Sequence, residues 1–428
     1  MVTLFSHQKQ ALSQTMGKNR VAYYLDMGLG KTFVGSEKMA QLNRRVNLVV
    51  CQKSKVEDWA DHIFDNYEDF EVYDLTKKDE FTIFTLRSDD EYESEYYECN
   101  PICGVINYDL IFRRPELSRL RDFTLMLDES SLIQNETSKR SRFILQKLKP
   151  QNVILLSGTP TGGKYEKLWS QCQLLGWNIS KKLFWDTYVE YHTQEFNGFP
   201  QKVVDGYKNV ERLKRKLREY GAVFMKSDEV FDLPEQLDTT IHVPATTEYR
   251  KFRKNSIVEV NRKELVGDTT LTKMLYERQL CGQYNERKLA AFYNLLESTD
   301  DRVIVFYNLT DEFQRLTLIC KSADRPVSVV NGECKDLSAY KNSEDSVTLI
   351  QYQAGAMGLN LQKANKIVYF TPPLSSELFE QSKKRIHRIG QDKTCFYYYM
   401  TCKGSVEERI YKTLAMRKDY TEKLFEEE

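Results

Sequence analysis

The sequence predicts an α/β protein with two doubly wound lobes, each built on a parallel sheet. Short, almost continuously apolar runs alternate with helix-like segments in both halves of the chain, as is typical of strands buried on both faces of a parallel sheet. The length of 428 residues exceeds what one compact core accommodates, so two domains are expected. A composition of 41% hydrophobic and 29% charged residues, without a long apolar run, is typical of a soluble globular protein with no membrane partner.

The N-terminal lobe is predicted within residues 1–234. Its expected strands are the apolar runs at residues 21–25, 46–51, 103–106, 124–127 and 153–156. Helical patterns lie between these runs, at residues 33–42, 56–66, 114–120 and 139–148. Residues 168–226 have a helical and aromatic pattern, which predicts a helical insertion that contains the basic stretch 212–218. That stretch is either a surface that grips nucleic acid or a solvated helix face.

The C-terminal lobe is predicted within residues 247–428. Pro234 and Pro244 bracket an extended segment, so residues 235–246 are expected to link the two lobes. Helical sequence continues to residue 298, and the second set of strands is expected at residues 303–307, 327–330, 347–352, 367–370 and 396–401. A charged helix from residue 406 to about residue 426 is expected to brace this lobe.

Charge and cysteine usage narrow the class of protein. Lysine plus arginine equals aspartate plus glutamate, at 62 residues each, so a surface for nucleic acid has to be a local stripe. The nine cysteines include no Cys-x-x-Cys pair, which predicts reduced core thiols rather than a structural zinc site. The first ten residues lack the order of a signal peptide, so we expect a cytoplasmic protein.

The strongest motif is Asp-Met-Gly-Leu-Gly-Lys-Thr at residues 26–32, between a predicted strand and a predicted helix. Glycines in such a turn let backbone N–H groups close on a polyphosphate, and the helix N-terminus adds partial positive charge. Lys31 can reach the β and γ phosphates, and the Thr32 hydroxyl can hold Mg²⁺. The expected nucleotide contacts in this loop are Met27, Gly28, Leu29, Gly30, Lys31 and Thr32.

Two adjacent carboxylates, Asp128 and Glu129, end another apolar run. Ligands of open α/β folds bind at the carboxyl edge of the parallel sheet. At that edge an aspartate can hold Mg²⁺, and a neighbouring glutamate can orient or deprotonate an attacking water. The run at residues 153–156 leads into Ser-Gly-Thr-Pro at residues 157–160, a small hydroxyl-bearing turn suited to sensing the γ phosphate.

Two arginines in the second lobe form a further candidate site. Arg385 and Arg388 lie three residues apart within residues 381–391, so on a helix they share one face. Two guanidinium groups can neutralise the charge that develops on a transferring phosphoryl group. The alternative is a basic helix surface that faces solvent or nucleic acid.

Taken together, these motifs resemble the Swi/Snf-like branch of helicase superfamily 2, the ATP-driven translocases of double-stranded DNA. The resemblance covers nearly the whole chain, and its motifs follow in the family's order at residues 5–8, 26–32, 48–59, 105–111, 128–131, 156–161, 303–307, 355–361, 381–391 and 403–410. It implies two RecA-like lobes, ATP and Mg²⁺ as cofactors, and double-stranded DNA as a partner that is contacted mainly through its phosphates.

The resemblance also implies roles for individual residues. Gln8 is expected to read adenine, Thr32 and Asp128 to hold the metal, and Gly358 to contact the nucleotide. The expected catalytic residues are Lys31, Glu129, Arg385 and Arg388, with the two arginines completing the site when the lobes close. The expected DNA contacts are Lys53, Ser54, Asn107, Tyr108 and Gly355.

The chain departs from the family's pattern at several positions. Asp128 to Ser131 reads Asp-Glu-Ser-Ser where most members have Asp-Glu-Ala-His, so coupling between the nucleotide site and the 157–160 turn is expected to differ. Tyr352, Gln353 and Ala356 replace residues that are usual around the 355–361 motif, which affects DNA contacts more than ATP chemistry. No bromodomain, chromodomain or zinc-finger sequence flanks the motor, so histone reading is not expected, and the chain resembles compact members from bacteria and their phages.

The expected function is ATP-dependent translocation along duplex DNA, which remodels protein–DNA or branched DNA structures in a bacterial or phage-infected cytoplasm. Replication or recombination proteins are candidate partners. Two alternatives remain open. A strand-separating helicase of the same superfamily shares every ATP-site residue, and a nucleotide switch or scaffold keeps the fold without translocation. The intact site residues argue against the second alternative; they are Lys31, Asp128, Glu129, Arg385 and Arg388.

Overall fold

The computed structural model describes residues 3–89, 100–196, 199–355 and 359–425. Contacts within the chain define two units. The first runs to Val230 and also includes the residues from Tyr420 onward, and the second runs from Phe231 to Asp419. Each unit contains a seven-stranded sheet with helices packed against it, so the predicted two-lobed α/β class is confirmed.

The first unit is built on a parallel sheet. Its strands are β1 (Arg20–Leu25), β2 (Val46–Cys51), β3 (Glu71–Asp74), β4 (Ile102–Asn107), β5 (Phe123–Asp128), β6 (Asn152–Ser157), β7 (Val189–Phe196), β8 (Phe199–Tyr207) and β9 (Ala222–Met225). The sheet order is β3-β4-β2-β5-β6-β1-β9 with every pair parallel, while β7 and β8 form a separate antiparallel hairpin. β2, β4 and β6 are buried along their whole length, which explains their continuous apolar sequences.

The helices of this unit precede or connect its strands. They are α1 (Ser6–Ser13), α2 (Lys31–Leu42), α3 (Val56–Asn66), α4 (Lys78–Arg87), α5 (Tyr108–Ile111), α6 (Lys139–Arg142), α7 (Trp169–Leu174), α8 (Lys181–Tyr188) and α9 (Val210–Glu219). α2 packs on β6 and β1, and α3 packs on β3 and β4. The helices therefore cover a sheet whose buried faces are apolar.

The second unit repeats the arrangement with different connections. Its strands are β10 (Gln236–Pro244), β11 (Ile257–Val260), β12 (Lys263–Val266), β13 (Val303–Tyr307), β14 (Val327–Val330), β15 (Lys335–Asp336), β16 (Val347–Gln351), β17 (Lys366–Tyr369) and β18 (Cys395–Lys403). The sheet order is β10-β18-β17-β13-β16-β14-β15, antiparallel only between β14 and β15, and β11 pairs with β12 as a hairpin.

Helices also cover the second sheet. They are α10 (Thr247–Asn255), α11 (Thr270–Cys281), α12 (Glu286–Glu297), α13 (Thr310–Ser322), α14 (Ser338–Asn342), α15 (Tyr352–Gly355), α16 (Ser376–Lys383) and α17 (Val406–Phe425). α12 and α17 are joined by a fully buried ion pair, in which Lys288 Nζ lies 2.6 Å from Glu407 Oε1. Glu407 Oε2 also accepts a hydrogen bond from the Cys402 N–H at 3.0 Å, which fixes the start of α17 against β18.

The structure corrects several sequence-based predictions. Residues 168–226 are not a helical insertion throughout, because they contain the β7–β8 hairpin and the edge strand β9 as well as three helices. Residues 235–246, expected as a linker, contain β10, which pairs in parallel with β18 over nine residues. Residues 114–120 form a short 3₁₀ helix at Pro115–Arg119 instead of an α-helix. β8 and β10 are largely exposed, so neither has the continuous apolar run by which a buried strand is recognised.

Strand register brings the carboxyl ends of three strands together in the first unit. β6 lies between β5 and β1, with Leu156 opposite Asp128 and Ser157 opposite Tyr24. The segments that follow these strands therefore emerge at one edge of the sheet. They are the glycine loop 26–32, the acidic pair and the 157–160 turn.

Candidate nucleotide site

The loop between β1 and α2 has the backbone shape of an anion cradle. Gly28 has a φ of +88° and Gly30 a φ of +72°, a left-handed region that glycine enters without the steric cost of a side chain. A Cβ on Gly30 would lie 2.2 Å from Gln8 Nε2, so no other residue fits there without displacing that amide. Gly30 caps α2 without a side-chain hydrogen bond, which leaves the first-turn N–H groups uncapped by a side chain.

Lys31 lies across the loop from the 157–160 turn. Its Nζ donates to the carbonyls of Leu25 at 3.0 Å and Asp26 at 3.4 Å. A Cβ on Gly158 would come within 3.2 Å of the same Nζ, so the glycine leaves room for the ammonium group. Among the residues that the structure describes, no carboxylate forms an ion pair with Lys31. Its positive charge is therefore free to neutralise a phosphate.

Asp26 and Ser227 hold the start of the loop. Asp26 Oδ1 accepts the Met27 N–H at 2.8 Å, and Oδ2 accepts the Ser227 hydroxyl at 2.7 Å and its N–H at 3.3 Å. Ser227 lies two residues after β9, the edge strand of the sheet that pairs with β1. Sequence reasoning did not identify Ser227, because its only signal is its position after the apolar run 222–225.

Gln8 is buried against the glycine loop. Its Nε2 donates to the Leu29 carbonyl at 3.2 Å, and its Oε1 accepts the Phe5 N–H at 2.9 Å. His7 Nε2 lies 3.0 Å from the same Leu29 oxygen. The structure thus places the predicted adenine-reading residue beside the predicted phosphate loop.

The acidic pair ends β5 in an unusual backbone conformation. Asp128 Oδ2 accepts the Trp59 indole N–H at 2.9 Å. Burial raises the pKa of Asp128, while that hydrogen bond and the charges of Lys31 and Lys55 oppose the increase. Glu129 has a φ of +52°, a left-handed conformation that is strained for a residue with a side chain.

Two hydroxyl groups flank the acidic pair. The Tyr108 hydroxyl donates to the Asp128 carbonyl at 2.9 Å and lies 3.4 Å from the Glu129 carbonyl. Ser157 Oγ lies 3.5 Å from Glu129 Oε2, which connects the carboxylate with the 157–160 turn. Ser157 thus offers a contact between the acidic pair and that turn although Ser131 replaces the usual histidine.

Thr32 and Asp128 together suit a magnesium ion. Thr32 lies in the first turn of α2 and Asp128 at the end of β5, two elements that follow one sheet edge. A hydroxyl and a carboxylate are the hard oxygen donors that Mg²⁺ prefers. The residues present therefore fit the predicted cofactor.

Gln171 is a residue that sequence reasoning missed. It is fully buried in α7, and its Oε1 accepts the hydroxyls of Tyr24 and Ser130, each at 2.9 Å. Its Nε2 donates to the Pro160 carbonyl at 2.8 Å. A single glutamine inside a helical pattern carries no sequence signal for such a role.

The predicted DNA contacts do not share one environment. Lys53 and Ser54 are exposed in a 3₁₀ turn after β2, as a phosphate contact requires. Asn107 is only 7% exposed and Tyr108 only 2%, so little of either side chain is accessible, and their contact with DNA stays a prediction. Tyr108 supports the acidic pair. Gly355 ends α15 in the second unit.

Gly358 lies outside the described residues. Its contact with the nucleotide therefore stays a prediction. The remaining predicted loop residues, Met27, Gly28, Leu29 and Gly30, all belong to the β1–α2 turn described above.

Arg385 and Arg388 lie in the second unit beyond the end of a helix. α16 stops at Lys383, so the predicted sharing of one helix face is wrong. Arg385 is only 3% exposed. Arg388 is half-buried and donates a hydrogen bond to Asn360 Oδ1, and its burial lowers the pKa of its guanidinium group. The Gln391 amide donates to the Ala364 carbonyl at 2.8 Å and the Ile386 carbonyl at 3.3 Å, and these bonds fold the segment into turns.

Comparison with known proteins identifies the family. Residues 23–286 match the SNF2-related domain, and residues 287–390 match the helicase conserved C-terminal domain. The chain belongs to the SNF2-related family. The predicted family resemblance is therefore confirmed. No helix in the described part of this SNF2-related chain is both long and apolar enough to cross a membrane.

Several known proteins resemble the chain at low identity. The ISWI chromatin-remodeling complex ATPase ISW1 of Saccharomyces cerevisiae is 24% identical over 92% of this chain and 38% of its own length. The putative ATP-dependent helicase/translocase YwqA of Bacillus subtilis is 23% identical over 73% and 37%. The chain thus spans less than two fifths of the length of these relatives. A solved structure, the Sulfolobus solfataricus SWI2/SNF2 ATPase core in complex with dsDNA, is 20% identical with a TM-score of 0.44, covering 98% of this chain and 92% of its own.

Proposed function

We propose that the chain is a DNA-dependent ATPase of the Swi/Snf-like type, which couples hydrolysis of Mg·ATP to movement along duplex DNA. The observation that carries this proposal is one sheet edge where Lys31, the acidic pair and the 157–160 turn follow the neighbouring strands β1, β5 and β6. Membership of the SNF2-related family supports the same activity. So does similarity to a putative ATP-dependent helicase/translocase.

The proposal gives the residues distinct roles. Lys31 and the loop amides bind the phosphates, and Gln8 contacts adenine. Thr32 and Asp128 hold Mg²⁺, which neutralises phosphate charge when bound. Glu129 orients the attacking water by accepting a hydrogen bond from it. Arg385 and Arg388 supply positive charge to the phosphoryl group, and the remaining nucleotide contacts are Met27, Gly28, Leu29, Gly30 and Gly358.

Duplex DNA is the proposed nucleic acid along which the protein moves. Lys53 and Ser54 are the exposed candidates in the first unit, and Gly355 is the candidate in the second. Contacts of this kind go to phosphates, so binding should be independent of sequence and should weaken steeply with salt.

ATPase stimulation by different nucleic acids tests the proposal. We expect duplex DNA to stimulate ATP hydrolysis by the full chain more than single-stranded DNA or RNA of equal length. Stronger stimulation by single strands, together with unwinding of a labelled fork, would favour the strand-separating helicase. ATP turnover that no nucleic acid changes would favour a nucleotide switch or scaffold and contradict the proposal.

Two substitutions test the site itself. Lys31→Ala removes the phosphate-binding ammonium, and Glu129→Gln removes the acceptor for water. Each should lower kcat by roughly 100-fold or more. Lys147→Ala and Glu116→Gln change the same residue types at exposed positions away from the sheet edge, and they should leave kcat unchanged. Wild-type turnover in both site variants would overturn the assignment.

The arginines require a separate test. Because the charge of a transferring phosphoryl group must be neutralised in the transition state, Arg385→Ala and Arg388→Ala should lower kcat more than they weaken ATP binding. Unchanged kcat in both variants would assign these arginines to another role while leaving the loop and the acidic pair in place.

A further inference from the structure

We infer that Gln171 is a positioning residue that holds Glu129 in the conformation required for hydrolysis. The inference rests on the proposed ATPase activity. In the part of the chain that the structure describes, the Gln171 side chain forms no hydrogen bond with loop 26–32 or with the Glu129 carboxylate. Its carboxamide instead joins Tyr24, Ser130 and Pro160 in a fully buried network.

Each partner adjoins one segment of the nucleotide site. Tyr24 is the penultimate residue of β1, just before the glycine loop. Ser130 directly follows Glu129, and Pro160 belongs to the turn after β6. The three strands involved are neighbours in the order β5-β6-β1. One carboxamide therefore sets the mutual spacing of all three segments.

The conformation of Glu129 explains why such a support is needed. A left-handed residue with a side chain relaxes unless the surrounding structure constrains it. Tyr108 constrains the backbone on one side, because its hydroxyl donates to the Asp128 carbonyl. On the other side, the Ser130 hydroxyl donates to Gln171. Gln171 and Tyr108 thus hold the backbone of Glu129 from both sides.

The chemistry of the amide suits this task better than that of an apolar side chain. Its oxygen has two lone pairs, and both are used by hydroxyl donors, while its nitrogen donates to a carbonyl. Buried networks that are satisfied in this way are rigid, whereas loss of one member leaves other polar groups without partners. A change at Gln171 should therefore loosen Glu129 without removing any phosphate or metal contact.

Ser130→Ala is the most specific test. It removes only the Ser130 hydroxyl, which links the residue after Glu129 to Gln171. We expect a roughly tenfold lower kcat for DNA-stimulated ATP hydrolysis, since a small misplacement of a catalytic group has a large effect on rate. KM for ATP and the Kd for ATP should stay within about twofold of wild type, because the phosphate loop is untouched.

Gln171→Met provides the second arm, as methionine fills a similar volume without polar atoms. Its kcat should fall at least as far as that of Ser130→Ala. In the double variant the two losses should not add, because both substitutions remove the same connection. Should Gln171→Met fail to fold, Ser130→Ala alone decides the question.

A matched control separates positioning from stability. Thr124→Val removes a buried hydroxyl from β5 itself. This hydroxyl accepts a hydrogen bond from Asn152 Nδ2 at 3.2 Å, near the end of β5 that is remote from Ser130. Thr124→Val should lower Tm and leave kcat unchanged. Wild-type kcat in Ser130→Ala, or an equal kcat loss in Thr124→Val, would overturn the inference. Absence of ATPase activity in the wild-type chain would instead refute the proposed function.

Discussion

Gly30→Ala tests the contact between the phosphate loop and Gln8. Gly30 has a φ of +72°, and a Cβ there would lie 2.2 Å from Gln8 Nε2. Gly17 has the same φ of +72°, but a Cβ there meets no non-neighbouring atom of the described residues within 4 Å. Gly17→Ala is therefore a matched control that has the backbone cost without the steric clash.

The expected difference between the two variants follows from the contacts. Alanine in the left-handed region costs about 1–2 kcal/mol of folding free energy at either position. Gly30→Ala must also displace the Gln8 amide, which donates to Leu29 at 3.2 Å and accepts from Phe5 at 2.9 Å. Each such hydrogen bond contributes about 0.5–1.5 kcal/mol, so Gly30→Ala should be less stable than Gly17→Ala by roughly 1–3 kcal/mol.

Urea denaturation and ATP titration measure the two effects. The first unfolding transition should occur at a lower urea concentration in Gly30→Ala than in Gly17→Ala. Only Gly30→Ala should raise KM for ATP, by about tenfold, which corresponds to ~1.4 kcal/mol. Adding Gln8→Ala to Gly30→Ala removes the obstructing amide and should recover part of the stability. Equal destabilisation of Gly17→Ala and Gly30→Ala would refute the reasoning.

Three further predictions concern the support of the site and the second unit. Tyr108→Phe should lower kcat and leave DNA affinity unchanged, because the buried hydroxyl supports Glu129 and does not face solvent. Lys288→Met should destabilise the protein by about 3–5 kcal/mol, since it leaves Glu407 buried without the Lys288 ammonium. Adding Glu407→Leu should restore much of the lost stability. Burial raises the pKa of Glu312 above 4.5 in the folded chain, so the free energy of unfolding should fall as pH rises through that raised pKa. Glu312→Gln should weaken this pH dependence of the free energy of unfolding.

Each of these predictions has a contrary outcome. Weaker DNA binding by Tyr108→Phe at constant kcat would instead support the predicted contact of this residue with DNA. Equal stability of the single and double variants at Lys288 and Glu407 would show that the buried pair is not coupled. A pH profile of unfolding that Glu312→Gln leaves unchanged would assign the dependence to another carboxyl.

Local sequence predicted the strands at the centre of each sheet because burial on both faces demands continuous apolar residues. β2 was predicted with its observed bounds, and β6 to within a residue at each end. The edge strand β10 pairs with β18, whose residues lie about 160 positions further along the chain. Since β10 is mostly exposed, its sequence resembles a linker, and only its distant partner reveals a strand.

Helical spacing was a weaker guide in the candidate site. The three-residue spacing of Arg385 and Arg388 predicts a shared face only if the helix continues, but α16 ends at Lys383. The turns that follow depend on the Gln391 amide and on carbonyls such as that of Ala364. Such long-range hydrogen bonds leave no local periodicity in the sequence.

The sequence by itself determined the chemical groups of this site. The order of glycines, Lys31, Thr32 and the acidic pair is a local pattern, because a phosphate cradle and a strand end are each formed by a few consecutive residues. Tertiary structure alone decided what holds Glu129 in its left-handed conformation. Tyr108 precedes it by 21 positions and Gln171 lies 41 positions beyond Ser130. Their side chains meet only because parallel strands bring distant segments to one edge of the sheet.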